Sequence, residues 1–247
     1  MMQQTKEKKI PVLEIFGPTV QGEGMVIGQK TMFIRTAGCD YSCAWCDSAF
    51  TWDGSAKDEI RQMSSSSIIE ELFKTGGNAF SHVTISGGNP ALIKHMGVLV
   101  TALQELGIDV ALETQGSIWQ DWFMSIDDLT ISPKPPSSKM KPNLGILDDI
   151  LDRLKSRPNS TYSLKVVVFD ENDLDFAEML HSRYPTVPFY IQTGNEQVTE
   201  TNDTRLVSDL ISKYEWLIDC VMKREALNRV RVLPQLHTYV WGNKRGV

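Results

Sequence analysis

Apolar positions along this chain follow two rhythms that take turns. Short alternating or continuous apolar runs have the length and the β-branched content of strands. They are VLEIF (Val12–Phe16), TMFIRT (Thr31–Thr36), HVTIS (His82–Ser86), DVALET (Asp109–Thr114), DLTIS (Asp128–Ser132), SLKVVVF (Ser163–Phe169) and PFYIQ (Pro188–Gln192). Between them the apolar spacing widens to that of helices, as in SIIEELFKTGG, LIKHMGVLVTALQELG, LGILDDILDRL and DLDFAEMLHSRY. Ser67 and Glu70 are spaced as a capping box for the first of these, which stops at Gly76, and Gly107 closes the second. A short helix is expected near Trp119–Phe123 and a final one around Arg205–Tyr214. Such alternation predicts an α/β fold with about six mostly parallel strands covered by helices, either an incomplete (β/α) barrel or an open doubly wound sheet. In either, ligands gather beyond the C-terminal ends of the strands. The segments AGCDYSCAWCDS, SGGNP, ETQGS and SPKPPSS each follow a predicted strand directly, so they should converge on one face.

Composition narrows the setting more than the chemistry. The 247 residues, 41% hydrophobic and 23% charged, suffice for a buried core without disulfide staples, and the whole chain reads as one domain. MMQQTKEKKI has no apolar stretch behind it, and no run is long enough to span a bilayer. A protein of a reducing cytoplasm is expected, with no membrane partner. A net charge of −6 argues against nucleic-acid binding, and the basic clusters at Lys6–Lys9 and Lys244–Arg245 read as solvated tails.

Three of the four cysteines, Cys39, Cys43 and Cys46, fall within eight positions. Thiolates this close select zinc, Cu(I) or an iron–sulfur cluster. Structural zinc takes four closed ligands, and no second pair is present, because Cys220 stands alone in LIDCVMK and reads as a small buried hydrophobe. Three cysteines instead suit a [4Fe–4S] cluster with one iron left open.

The clip, with Trp45 before its last cysteine, resembles the CxxxCxΦC signature of the radical S-adenosylmethionine (SAM) superfamily, and SGGNP resembles that superfamily's GGEP-like turn, with Asn89 in place of Glu. QGEG at Gln21–Gly24, Arg35, CDS running into Phe50–Trp52, ETQG, SPKPPSS and LPQLH…WGNKRG extend the likeness over essentially the whole chain, to the 7-carboxy-7-deazaguanine synthase family. That resemblance implies an incomplete (β/α) barrel of the radical SAM type. The cluster loop would lie at 39–46, and the segment after the last strand would contribute to the substrate site. It implies a carbon–nitrogen lyase that converts 6-carboxy-5,6,7,8-tetrahydropterin to 7-carboxy-7-deazaguanine with loss of ammonia, by hydrogen abstraction at C6. The cofactors would be a [4Fe–4S] cluster on Cys39, Cys43 and Cys46, SAM, and magnesium on the Ser48 hydroxyl. Substrate contacts would come from Val20, Gln21, Gly22, Glu23, Arg35, Ser86 and His237. SAM contacts would come from Trp45, Gly88, Ser132, Pro133, Lys134, Gln192, Thr193, Gly194 and Asn195. A homodimer reduced by a flavodoxin or ferredoxin is expected. The alternatives are a glycyl-radical-enzyme activase, with the same clip but a large protein partner, and a non-enzymatic zinc-binding interaction module.

Overall fold

The computed structural model describes residues 8–157 and 161–247, so Lys6 of the N-terminal basic cluster lies outside the described residues. The strands are β1 (Ile10–Val20), β2 (Lys30–Thr36), β3 (Arg61–Met63), β4 (His82–Gly87), β5 (Asp109–Thr114), β6 (Asp128–Ile131), β7 (Thr161–Val168), β8 (Phe189–Thr193) and β9 (Val230–Leu233). They form one sheet in the order β3-β1-β2-β4-β5-β6-β7-β8-β9. From β2 onward every neighbouring pair is parallel, whereas β1 runs antiparallel to both β2 and β3. Nine strands stand where the sequence suggests about six: the seven apolar runs are all strands, and β3 and β9, of three and four residues, join them at the two edges.

The helices are α1 (Ser65–Gly76), α2 (Gly97–Glu105), α3 (Leu144–Leu154), α4 (Glu171–Arg183), α5 (Asp203–Met222) and α6 (Leu236–Trp241). α1 is capped by Ser64, whose hydroxyl accepts from the Ser67 amide at 3.1 Å, so Ser67 is the third helical residue rather than the cap. The expected short helix is a 3-10 turn at Asp121–Ser125. α5 runs two turns past Tyr214, since Leu206, Leu210, Leu217 and Val221 keep one buried stripe along it. Among the described residues no helix is long and apolar enough to cross a membrane.

Each parallel strand divides its residues between two faces. Met32 and Ile34, Val83 and Ile85, Val110 and Leu112, Leu129 and Ile131, and Leu164, Val166 and Val168 belong to the hydrophobic core shared with the helices. The intervening residues Phe33, Arg35, Ser86, Glu113, Ser132, Lys165, Val167 and Phe169 line a single cavity. The sheet curls around that cavity. Gln235, beyond β9 at one edge, donates to Glu23, beyond β1 near the other, at 2.8 Å, and the Leu236 amide donates to the Gly22 carbonyl at 3.0 Å. The result is an incomplete barrel whose open seam is bridged by the segment after β9.

Candidate active site

The cluster loop leaves the C-terminal end of β2 and is fixed from three sides. Asn89, fully buried, donates to Asp40 at 2.8 Å and accepts from Thr114 Oγ1 at 2.8 Å and from the Ala91 amide at 3.2 Å. Its amide is thereby spent on holding the turn against the loop, and it meets the Asp40 carboxylate with an N–H donor that an ionised glutamate there would lack. Gln115 donates to the same Asp40 oxygen at 2.6 Å and approaches Cys39 Sγ at 3.6 Å. The PKPPSS segment holds the far side, through Trp45 Nε1 to Ser137 Oγ at 2.9 Å and the Ala44 amide to the Ser138 carbonyl at 3.0 Å. A Cβ added at Gly88 would stand 2.1 Å from the Gly38 carbonyl oxygen, so only glycine lets the turn pack this closely on the loop.

All three clip cysteines are free thiols on the cavity wall. N–H donors already face the sulfurs: the Tyr41 amide at 3.5 Å from Cys39 and Trp52 Nε1 at 3.4 Å from Cys46. Burial pushes the Cys43 thiol up to about 11, against the pull of Lys134 and with Cys46 and Cys39 adding to the rise. As thiolates the three would repel one another unless a cation neutralised them, and donors aimed at sulfur are what a bound cluster's thiolates require. The residues therefore fit an iron–sulfur cluster. Cys220, by contrast, packs at the rim of the core on α5, where its thiol donates to Glu171 at 3.2 Å.

Most of the residues expected at the site meet in this cavity, whose volume is about 280 Å³. Val20, Gln21, Gly22, Glu23, Arg35, Trp45, Ser48, Ser86, Gly88, Ser132, Lys134, Asn195 and His237 all line it together with the clip. Pro133, Gln192, Thr193 and Gly194 do not. Gly194 instead makes room for the Phe169 ring, which a Cβ there would strike at 2.0 Å, and Phe169 packs on Trp45 with centroids 4.7 Å apart. Among the described residues, Ser132 Oγ on the wall and both amide atoms of the wholly buried Gln192 have no hydrogen-bond partner. Buried polar atoms without partners mark where a polar ligand can be received, and these lie where SAM is expected.

Opposite the clip the wall is charged. Lys165, only 4% exposed, sits 2.6 Å from Glu23 Oε2 and 3.4 Å from Glu113 Oε1. Burial alone would raise the Glu23 carboxyl. The Lys165 and His237 charges, with hydrogen bonds from Lys165 and Gln235, outweigh it and hold Glu23 well below the usual carboxylate range. Burial pulls Lys165 down, but Glu113 and Glu23 raise it above the ordinary lysine value. Gln21 donates to Glu113 at 3.5 Å, completing a row of donors and acceptors that suits the edge of a flat heterocycle. Glu23, Asp47 and His237 bring one ligand atom each to within 4.8 Å of one another, beside Ser48 on the cluster loop. Lys165, Gln235, Asp47 and Arg245 are given no site role by the sequence, although the last three lie within LPQLH, CDS and WGNKRG. Lys165 left a different signal, as the single charge within the apolar run SLKVVVF.

Comparison with known proteins agrees with this geometry. The Radical SAM superfamily model matches residues 33–182. A 7-carboxy-7-deazaguanine synthase of Bacillus cereus is 62% identical over 97% of this chain and 99% of its own length. Another from Bacillus subtilis is 63% identical over the same shares. The crystal structure of QueE from Escherichia coli superposes with a TM-score of 0.67 at 22% identity, covering 93% of this chain and 95% of that one, a likeness of fold.

Proposed function

The chain belongs to the 7-carboxy-7-deazaguanine synthase family of the radical SAM superfamily, and from that premise we propose how its own residues divide the work. Its activity is that of a 7-carboxy-7-deazaguanine synthase, a radical SAM lyase of queuosine biosynthesis. The activase and zinc-module alternatives are set aside with it. Membership implies a [4Fe–4S] cluster and SAM, which when bound supply a 5′-deoxyadenosyl radical. Cys39, Cys43 and Cys46 hold the cluster. The Gly88 turn, Trp45, Ser132, Lys134 and Asn195 form the SAM side of the cavity, with Gln192 behind it.

The substrate is 6-carboxy-5,6,7,8-tetrahydropterin. Gln21, Glu23 and Glu113 face its guanidine-like edge, and Lys165 pairs with both carboxylates and holds Glu23 ionised as an acceptor. Arg35 and His237 take its carboxylate, with Val20, Gly22 and Ser86 shaping the cleft. The observation that carries this reading is that one cavity joins three clustered thiols to this buried, charge-balanced wall. Anaerobically reconstituted protein given reductant, SAM, magnesium and the carboxytetrahydropterin should release the deazaguanine and ammonia. No product from protein with an intact cluster would sink the proposal.

Magnesium belongs on the Ser48 hydroxyl, with Asp47 the nearest added carboxylate. Magnesium keeps most of its waters and needs few protein oxygens. Ser48→Ala should therefore reduce magnesium stimulation about tenfold, one charge-assisted contact being lost, and leave the visible spectrum of the cluster unchanged. Undiminished stimulation takes Ser48 off the metal. The continuous sheet and the bridged seam support a single domain over 1–247. A homodimer and a flavodoxin or ferredoxin reductant complete the proposal.

A further inference from the structure

Lys244 and Arg245 line the cavity wall but have no part in this division of work. Lys244–Arg245 reads in the sequence as a solvated basic cluster, yet Arg245 is docked. Its guanidinium lies 4.2 Å from the centroid of the Phe50 ring. Its Nε donates to Glu14 Oε2 at 2.9 Å, and a terminal nitrogen donates to Glu59 at 2.8 Å. Arg35 uses two of these same partners, Glu14 Oε1 at 2.6 Å and the Phe50 ring at 5.4 Å. A break in the β1–β2 register between Val12 and Glu14 sets Glu14 directly across from Arg35. One carboxylate and one aromatic ring are thus shared by two guanidinium groups.

The two contacts with Glu14 differ in kind. Arg245 makes an aligned hydrogen bond. Arg35 approaches the other oxygen out of line, so that among the described residues Arg35 Nε and Glu14 Oε1 both lack a hydrogen-bond partner. An arginine and a carboxylate left to themselves form two parallel bonds, end to end. With Oε2 held by Arg245, Glu14 meets Arg35 only at its Nε edge. Among the described residues no hydrogen bond uses the two terminal nitrogens of Arg35, and those are the fork that fits a carboxylate. Two arginines against one largely buried carboxylate also leave the wall with a surplus positive charge, apart from the more exposed Glu59.

We infer that Arg245 is a positioning residue for the substrate: by occupying Glu14 it keeps the Arg35 fork free for the substrate carboxylate. The inference rests on the carboxypterin reading of the cavity. Reconstituted protein should be titrated with 6-carboxypterin and with pterin lacking the carboxylate, following tryptophan fluorescence. In Arg245→Gln, affinity for 6-carboxypterin should fall about tenfold, the worth of one charge-assisted interaction, while affinity for pterin barely moves. KM for the tetrahydro substrate should rise in step, with kcat changing far less. Adding Glu14→Gln to that variant should restore most of the loss, because a neutral amide cannot capture Arg35 as an ion pair. Unchanged affinity in Arg245→Gln, equal weakening for both ligands, or no recovery in the double variant overturns the role. A failed carboxypterin assignment would show in the wild-type protein, as no turnover, whereas a failed role for Arg245 shows only in the variants.

Discussion

Lys165→Met should cost about 3–5 kcal/mol of stability, the usual result of removing one partner from a buried ion pair, and should introduce a fall of stability with rising pH where the wild type has none. Lys165 lies between Glu23 and Glu113 with almost no access to water. In the wild type, Glu23 is held below its ordinary 4.5, so its stabilising share is complete above that value and is lost as pH falls through the lowered pKa. Lys165 is raised above its ordinary 10.5, so its share is complete below that value and is lost as pH climbs through the raised pKa. Between those limits the triad contributes a constant amount. Without the lysine, two facing carboxylates remain with burial opposing their charge, and the folded state then favours the protonated form. Stability of the variant should accordingly fall from pH 5 to pH 8, where the wild-type triad is level. Glu113→Gln in the same background should recover part of the loss by removing one charge. Denaturant titrations at the two pH values decide it, and a variant within about 1 kcal/mol of wild type at both would show that the triad is not a balanced unit.

Cys43→Ala should abolish activity, by at least about a thousandfold, because a cluster left with two protein ligands does not stay assembled. Iron should drop from about four per chain to a small residue. The brown colour should go with it. The fold should persist, since the loop is tied down by Asn89, Gln115 and Trp45 rather than by the metal. Circular dichroism and a thermal melt of the iron-free variant close to those of iron-free wild type would bear this out. Retained iron with activity would remove Cys43 from the ligand set.

The clip and the glycine turn were legible in the sequence because their chemistry is local: three thiols in eight positions, and two glycines directly after a strand. Period-two alternation likewise revealed the strands long enough to display it. Glu14 was hidden by the register break that re-aims it, and β3 and β9 by their brevity. Arg245 was hidden because nothing near it in sequence shows that Glu14 and Phe50 await it. The cap of α1 was misplaced by three residues because four consecutive serines offer several equivalent starts, and only the Ser64 hydroxyl reaches an amide there. Asn89 was recognised as a departure, and its reason appeared only once Asp40 and Thr114 were seen around it.

The seam has a consequence for how the protein is made. Synthesis delivers a chain from its N-terminus, and segments organise in that order. The cluster loop and its anchors, as far as Ser138, are available when little more than half of the residues have been joined. Glu23 waits across 212 positions for Gln235, and Glu14 across 231 for Arg245. The residues of the iron site are therefore all joined before Lys165, Gln235 and Arg245 arrive to complete the substrate wall.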